Sequence, residues 1–240
     1  MVAVNPALEE NMSLSQQSIA QPTILEAVRV LVVDDHPLVR HGLMTLIQAE
    51  PSFEVCAEAS DEDSALQAVK TSRPDLAIIG LSHRKSTSLE LVRRIHMIAP
   101  EVRVLVSSPH ESSLYAERAL KAGAMAYVCK SESIERTLEA LHRVRRGKIY
   151  LSERLSDRLL HRLAEGTEEE EESPFTLLSD RELQIFERYG RGMTTFEIAR
   201  QLHLSTKTVD THRQQIKRKL QLGSTNEIVL AGAQFLWQGG

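Results

Sequence analysis

Cysteine is nearly absent. Cys56 and Cys129 are the only two in 240 residues, and both fall inside short apolar runs. They are expected to be reduced, buried thiols, so no disulfide framework holds this fold. Long apolar runs are missing too: none approaches the ~20 residues that cross a bilayer. The start, Met1-Val2-Ala3-Val4-Asn5-Pro6, lacks the basic flank of a signal peptide. A cytoplasmic protein without membrane contact is therefore expected. Catalytic signatures are also missing, since there is no Gly-rich phosphate loop, no metal-ligand spacing and no nucleophile beside a base. An acid pair, Asp34-Asp35, is present, but a hydrolase or phosphatase built on it has no other support, and no enzyme is expected.

What the chain does contain is ordinary for a soluble globular protein: 42% hydrophobic and 26% charged residues. Its 240 residues suffice for two domains with separate cores. Charge is uneven along it. From Phe175 onward nine Lys and Arg face six acids, a balance of +3, while the remainder holds 20 basic and 27 acidic residues, a balance of −7. Contact with nucleic acid, if present, belongs to the basic end.

Residues 1–27, rich in Gln, Ser, Ala and Asn, read as a disordered extension, with a docking helix around Ile24 to Ala27 as the alternative. From Val28 onward buried strands alternate with amphipathic helices. Strands are predicted near 29–34, 54–59, 76–80, 103–107 and 125–129. Helices are predicted near 37–49, 62–72, 87–98, 112–121 and 132–146. The alternation predicts an α/β domain over 28–151, a flavodoxin-like doubly wound parallel five-stranded sheet in the order 2-1-3-4-5. Residues 152–174 then supply a connecting helix, with Leu155, Leu159, Leu160 and Leu163 on one side, and a linker centred on Glu168 to Glu172. Five like charges extend a chain, which makes a spacer; the sharper alternative is a DNA mimic that occludes the basic domain.

The strand ends carry the chemistry. Asp34 and Asp35 follow the first strand, Gly80 ends the third, Ser108 the fourth, and Lys130 the fifth, just after Tyr127. Such ends are where an open parallel sheet gathers its site. These residues resemble the receiver domain of bacterial two-component response regulators. The resemblance implies a magnesium site at Asp34 and Asp35, a phosphoryl-contacting hydroxyl at Ser108, a switch aromatic at Tyr127 and the receiver lysine at Lys130. It places the phosphoacceptor aspartate at Gly80, where Gly80-Leu81-Ser82-His83-Arg84-Lys85 through Leu91 aligns with the family stretch without a gap. Glycine offers no nucleophile. Autophosphorylation there is not expected, and without the third carboxylate Mg²⁺ binding is expected to be weak or absent.

The same loop departs from the family elsewhere, with Arg84 for proline, Lys85 for glycine and Ser88 for glycine. Either Arg84 or Lys85 meets the acids as Mg²⁺ would, or the loop has drifted after losing its role. His36 is expected to start a helix, not to ligate a metal.

Residues 175–240 predict a small all-α helix-turn-helix domain. Ser179 with Glu182 and Thr194 with Glu197 fit the capping box, and Ser205 caps a third helix. Leu178, Ser179, Arg181, Glu182, Glu197, Ile198, Ala199, Leu204, Ser205, Thr208, Val209, His212, Lys219 and Leu220 resemble the DNA-binding domain of the quorum-sensing and nitrate-response (LuxR, NarL/FixJ) type of regulator. Ile198, Ala199, Leu202, Val209, Ile216 and Leu220 are expected to pack. The third helix, 206–220, would enter the major groove. The resemblance puts Asp210, Thr211 and Gln214 at bases, where they suit a cytosine amino group, a thymine methyl and adenine. Lys207, Thr208, Arg213, Lys217, Arg218 and Lys219 complete the expected DNA surface, the basic ones on phosphates. A fourth helix over 226–237, apolar nearly all round, implies a homodimer.

The expectation is a sequence-specific, DNA-binding transcription regulator, nucleoid-associated when bound to DNA. Its degenerate receiver responds without phosphoryl transfer, through dimerisation, a protein partner or a small-molecule ligand. The alternative is an interaction module or anti-regulator whose DNA binding is secondary.

Overall fold

The computed structural model describes residues 27–81, 88–109, 112–165 and 174–237. Five parallel strands form its sheet: β1 (Val28–Val33), β2 (Phe53–Ala59), β3 (Leu76–Gly80), β4 (Arg103–Ser108) and β5 (Ala124–Cys129). Their order is β2-β1-β3-β4-β5, the doubly wound topology expected. The central strands are mostly apolar because helices cover both faces; β3 is buried throughout. Its final residue, Gly80, is paired with Ser107 of β4.

Five helices alternate with the strands: α1 (Pro37–Gln48), α2 (Glu62–Ser72), α3 (Ser88–Ile98), α4 (Ser113–Lys121) and α5 (Ile134–Arg145). Local chemistry fixes their starts. Pro37 opens α1, where its missing N–H costs nothing. Asp61 caps α2 by accepting from the Ser64 amide at 2.9 Å. On one face of the sheet Val30, Val32, Ile78 and Leu105 pack with Ile47 and Leu141. On the other, Leu31, Ile79 and Val106 join Val92, Ala116 and Ala119 in a cluster that runs on into the C-terminal helices.

The connecting helix α6 (Glu153–Glu165) packs on α4. Leu155 is fully buried, but Leu160 is 62% exposed, so the expected leucine stripe is narrower than its sequence spacing implies. Cys129 is buried, whereas Cys56 on the edge strand β2 is only half-buried, contrary to the expectation for both thiols. The N-terminal extension, the glutamate run and the loop bearing Arg84 and Lys85 lie outside the described residues.

After a 3₁₀ turn at Pro174–Leu177 come α7 (Asp180–Gly190), α8 (Thr195–Gln201), α9 (Thr206–Lys219) and α10 (Thr225–Trp237). Both capping boxes are formed, at Ser179 with Glu182 and at Thr194 with Glu197. Helices α7 and α10 meet at Gly190 and Gly232. A Cβ on Gly190 would lie 2.4 Å from the Gly232 carbonyl carbon, so only glycine permits this backbone approach. Phe175, Phe186 and Phe235 stack around the crossing with ring centroids 4.7–5.9 Å apart.

Candidate receiver pocket and nucleic-acid interface

The carboxyl ends of β1, β3, β4 and β5 bring Asp34, Gly80, Ser108 and Lys130 together. Asp34 is 1% exposed, so its charge must be matched by donors. It is: Lys130 Nζ donates to Oδ2 at 2.5 Å, and the His36 amide donates to Oδ1 at 2.8 Å. The His36 imidazole Nδ1 lies 3.3 Å from Asp34 Oδ1 and 2.9 Å from Asp35 Oδ1.

Gly80 is what permits this arrangement. A Cβ there would fall 2.0 Å from Asp34 Oδ2 and 2.6 Å from its Cγ. The Asp34 carboxylate thus occupies the space that any side chain at position 80 would need. Lys130 pairs with it there, across the sheet.

Donor atoms of Asp34, Asp35 and His36 all lie within 4.8 Å of one another. The set fits Mg²⁺ poorly, since that ion wants oxygen ligands in near-octahedral array. One donor here is an imidazole, and the Asp34 oxygen toward Gly80 already holds an ammonium.

Tyr127 is fully buried and hydrogen-bonds Ser108, itself fully buried. Burial pushes the Tyr127 hydroxyl above the ordinary phenol range. The switch aromatic of the resemblance therefore points inward. Between α1 and α5, next to Lys130, lies a cavity of about 300 Å³ lined by Val39, Leu43, Leu46, Cys129 and Ile134.

In the C-terminal domain the packing residues fall as expected. Ile198, Val209 and Ile216 are fully buried, and Ala199 and Leu202 nearly so. Leu220 is only partly buried, against the same cluster. Helix α9 turns Thr206, Lys207, Thr211, Gln214 and Arg218 to solvent. Its start is set by Ser205, which accepts from the Thr208 amide at 3.0 Å.

Three of the residues expected at DNA also make contacts within the protein. Lys219 Nζ lies 2.6 Å from Glu182 Oε2, which also accepts from the Ser179 amide at 2.7 Å. Burial would raise the Glu182 carboxyl, but Lys219 and Ser179 outweigh it and hold the group below its usual range. Lys219 thereby ties the end of α9 to the start of α7. Asp210 faces Arg213 at 3.1 Å, and Arg213 also reaches Thr195 Oγ1 at 3.4 Å.

Sequence reasoning missed a third constellation, between the two domains. Tyr115 of α4 donates its hydroxyl to Glu187 of α7, and both residues are buried. Arg118 of α4 and Arg93 of α3 converge on Asp180 at 2.6 and 2.7 Å. Burial raises the Glu187 carboxyl against the opposing pull of the Tyr115 bond and of Arg191, Arg188 and Arg118. One signal was available in the sequence. Asp180 and Glu187 are seven residues apart, two helical turns, so they share a face with Leu183.

Together a doubly wound sheet with acids and a lysine at its strand ends, and a capped helix-turn-helix, define a two-domain DNA-binding regulator. The comparisons agree. Residues 30–142 match the response regulator receiver domain, and residues 176–231 match the bacterial regulatory proteins of the luxR family. The oxygen regulatory protein NreC of Staphylococcus epidermidis is 32% identical over 207 residues, covering 84% of this chain and 95% of that protein. BvgA of Bordetella pertussis, a putative positive transcription regulator of virulence factors, is 31% identical over 84% of this chain and 94% of its own length. Among solved structures, the RcsB response regulator of Salmonella typhimurium superposes with a TM-score of 0.65 at 19% identity, over 87% of this chain and 98% of that one. A LuxR-family two-component response regulator from Aurantimonas superposes at 0.53 with 28% identity, over 57% of this chain and 99% of its own. The chain belongs to the LuxR-type response regulators: DNA-binding transcription regulators that carry a receiver domain. Among the described residues no helix is long and apolar enough to cross a membrane.

Proposed function

We propose that this protein is a sequence-specific transcription regulator whose receiver works without aspartyl phosphorylation. The observation that carries this reading is the Asp34–Lys130 pair closed over Gly80. The resemblance puts the phosphoacceptor at position 80, and glycine has no nucleophile. Asp34 fills the vacated space, and the Lys130 ammonium matches its charge there. Mg²⁺ at Asp34 and Asp35 is accordingly weak or absent in this reading.

DNA is read by α9, with Thr211 and Gln214 toward bases and Lys207 and Arg218 toward phosphates, all of them exposed. Thr208 and Lys217 flank them, half-buried. Asp210 and Arg213 enter as a pair, so a cytosine contact from Asp210 requires that pair to part. Two copies associate through α10, where Leu230 is 65% and Trp237 92% exposed. Leu230 and Trp237 are seven residues apart and so share a face, and large apolar side chains exposed together suit an interface.

The test is selection of bound sequences from a random DNA pool by unmodified protein, with and without beryllofluoride. Specific binding that ignores the phosphoryl analogue supports the proposal. Absence of any specific DNA, or binding that appears only with the analogue, refutes it.

A further inference from the structure

We infer that the Tyr115–Glu187 and Arg118–Asp180–Arg93 contacts latch the receiver onto the DNA-binding domain, and that the latched form is ready for DNA and not inhibited. The inference rests on the reading that α9 is the DNA-reading helix.

The latch has two anchor points. On α4, Tyr115 and Arg118 are three residues apart and share a face. On α7, Asp180 and Glu187 are seven apart, ~10 Å along the helix. Each residue of one pair meets one of the other: Tyr115 donates to Glu187, and Arg118 pairs with Asp180 at 2.6 Å. Arg118 also donates to the carbonyl oxygens of Phe175 and Leu178, at 3.2 and 2.5 Å, and so grips the turn that leads into α7. Arg93 of α3 closes on Asp180 from the other side at 2.7 Å.

The Tyr115–Glu187 contact is buried, not at the rim. Glu187 is 4% exposed and Tyr115 9%. A carboxyl buried to that extent needs a donor, and the receiver supplies one in the Tyr115 hydroxyl. Leu114, Tyr115 and Leu178 belong to a continuous apolar cluster that joins both domains. Separating the domains would expose this cluster and leave Asp180 without its two guanidinium partners.

An inhibitory contact has to cover what the output needs, and this one does not. Thr206, Lys207, Thr211, Gln214 and Arg218 of α9 remain exposed with the latch closed. On α10, Leu230 and Trp237 also stay open. The latch engages α7, the one helix that both α9 and α10 pack against. It therefore grips the DNA-binding domain from behind and orients it relative to the receiver. A receiver that lacks a phosphoryl switch has no means of releasing an inhibitory contact by that route, and here there is none to release.

The test uses full-length Tyr115→Phe and Tyr115→Phe/Arg118→Ala, with Arg93→Ala as a milder variant that leaves the buried residues intact. Hydrogen exchange of α4 and α7 reports the latch without DNA, and titration of a selected operator reports output. We expect exchange over residues 114–121 and 180–190 to rise about tenfold in the double variant, about 1.4 kcal/mol. Operator affinity should stay within about threefold of the parent. Unchanged exchange in all three variants would mean that the contact is no latch. Operator binding tightened tenfold or more would mean that it is inhibitory. Failure of the DNA-reading proposal would show differently, as loss of specific binding in the parent itself.

Discussion

Gly80 concentrates the account at the scale of single residues. Its place at the end of the third strand could be read from the sequence, and the receiver resemblance implies the loss of a nucleophile there. What replaced the missing side chain could not, since it depends on Asp34 turning into the vacated space and Lys130 following it. Restoring a Cβ forces that pair apart. Gly80→Ala should destabilise the protein by about 1–3 kcal/mol, as overpacking of a closed core does. Denaturant titration checks this, and an unchanged midpoint would show that the space is not filled. Glu187 makes a second residue-scale prediction, about pH. Its carboxyl is raised in the folded state, chiefly by burial. Its stabilising term is then fully present below the unfolded value near ~4.3 and is lost as pH rises through the folded value. Glu187→Gln should remove that term, so the Tm gap between parent and variant should change as pH rises from about 4. Parallel curves would contradict it.

The elements themselves were largely legible. Alternation of buried runs and amphipathic stretches located every strand of the sheet within about two residues, and the capping boxes marked α7 and α8 because the hydroxyl and glutamate act locally. Side-chain roles on α9 were less legible, since they depend on which neighbour lies across the helix pair. Lys219, expected at phosphate from its basic run, also bonds Glu182 within the domain. Arg218 and Lys219, adjacent at the end of α9, should therefore separate. Lys219→Ala should cost stability by about 1 kcal/mol, discounted for its partial exposure. Arg218→Ala should leave stability unchanged and reduce the salt slope of DNA binding by about 0.9. Equal effects of the two on the salt slope would contradict the assignment. For α10, Leu230→Asp should give a monomer in sedimentation with weakened DNA binding, while an unaltered sedimentation coefficient would exclude this helix as the dimer surface.

At the scale of the whole molecule, the sequence announced two domains and a spacer but not their contact. Domain-to-domain chemistry lies in pairs such as Tyr115 and Glu187, 72 residues apart, each of which has an adequate local reading on its own helix. In the folded protein they make one body: a receiver with its pocket closed by an internal ion pair, attached through α7 to a helix-turn-helix whose reading face is open. In the proposed reading such a regulator does not wait for a phosphoryl group. The direct test is the affinity of full-length protein for its selected operator, measured with Mg²⁺ present, before and after incubation with acetyl phosphate. The account predicts the same Kd within about twofold and no acid-stable, base-labile phosphate on the protein. A tenfold or greater tightening, accompanied by incorporated phosphate, would contradict it.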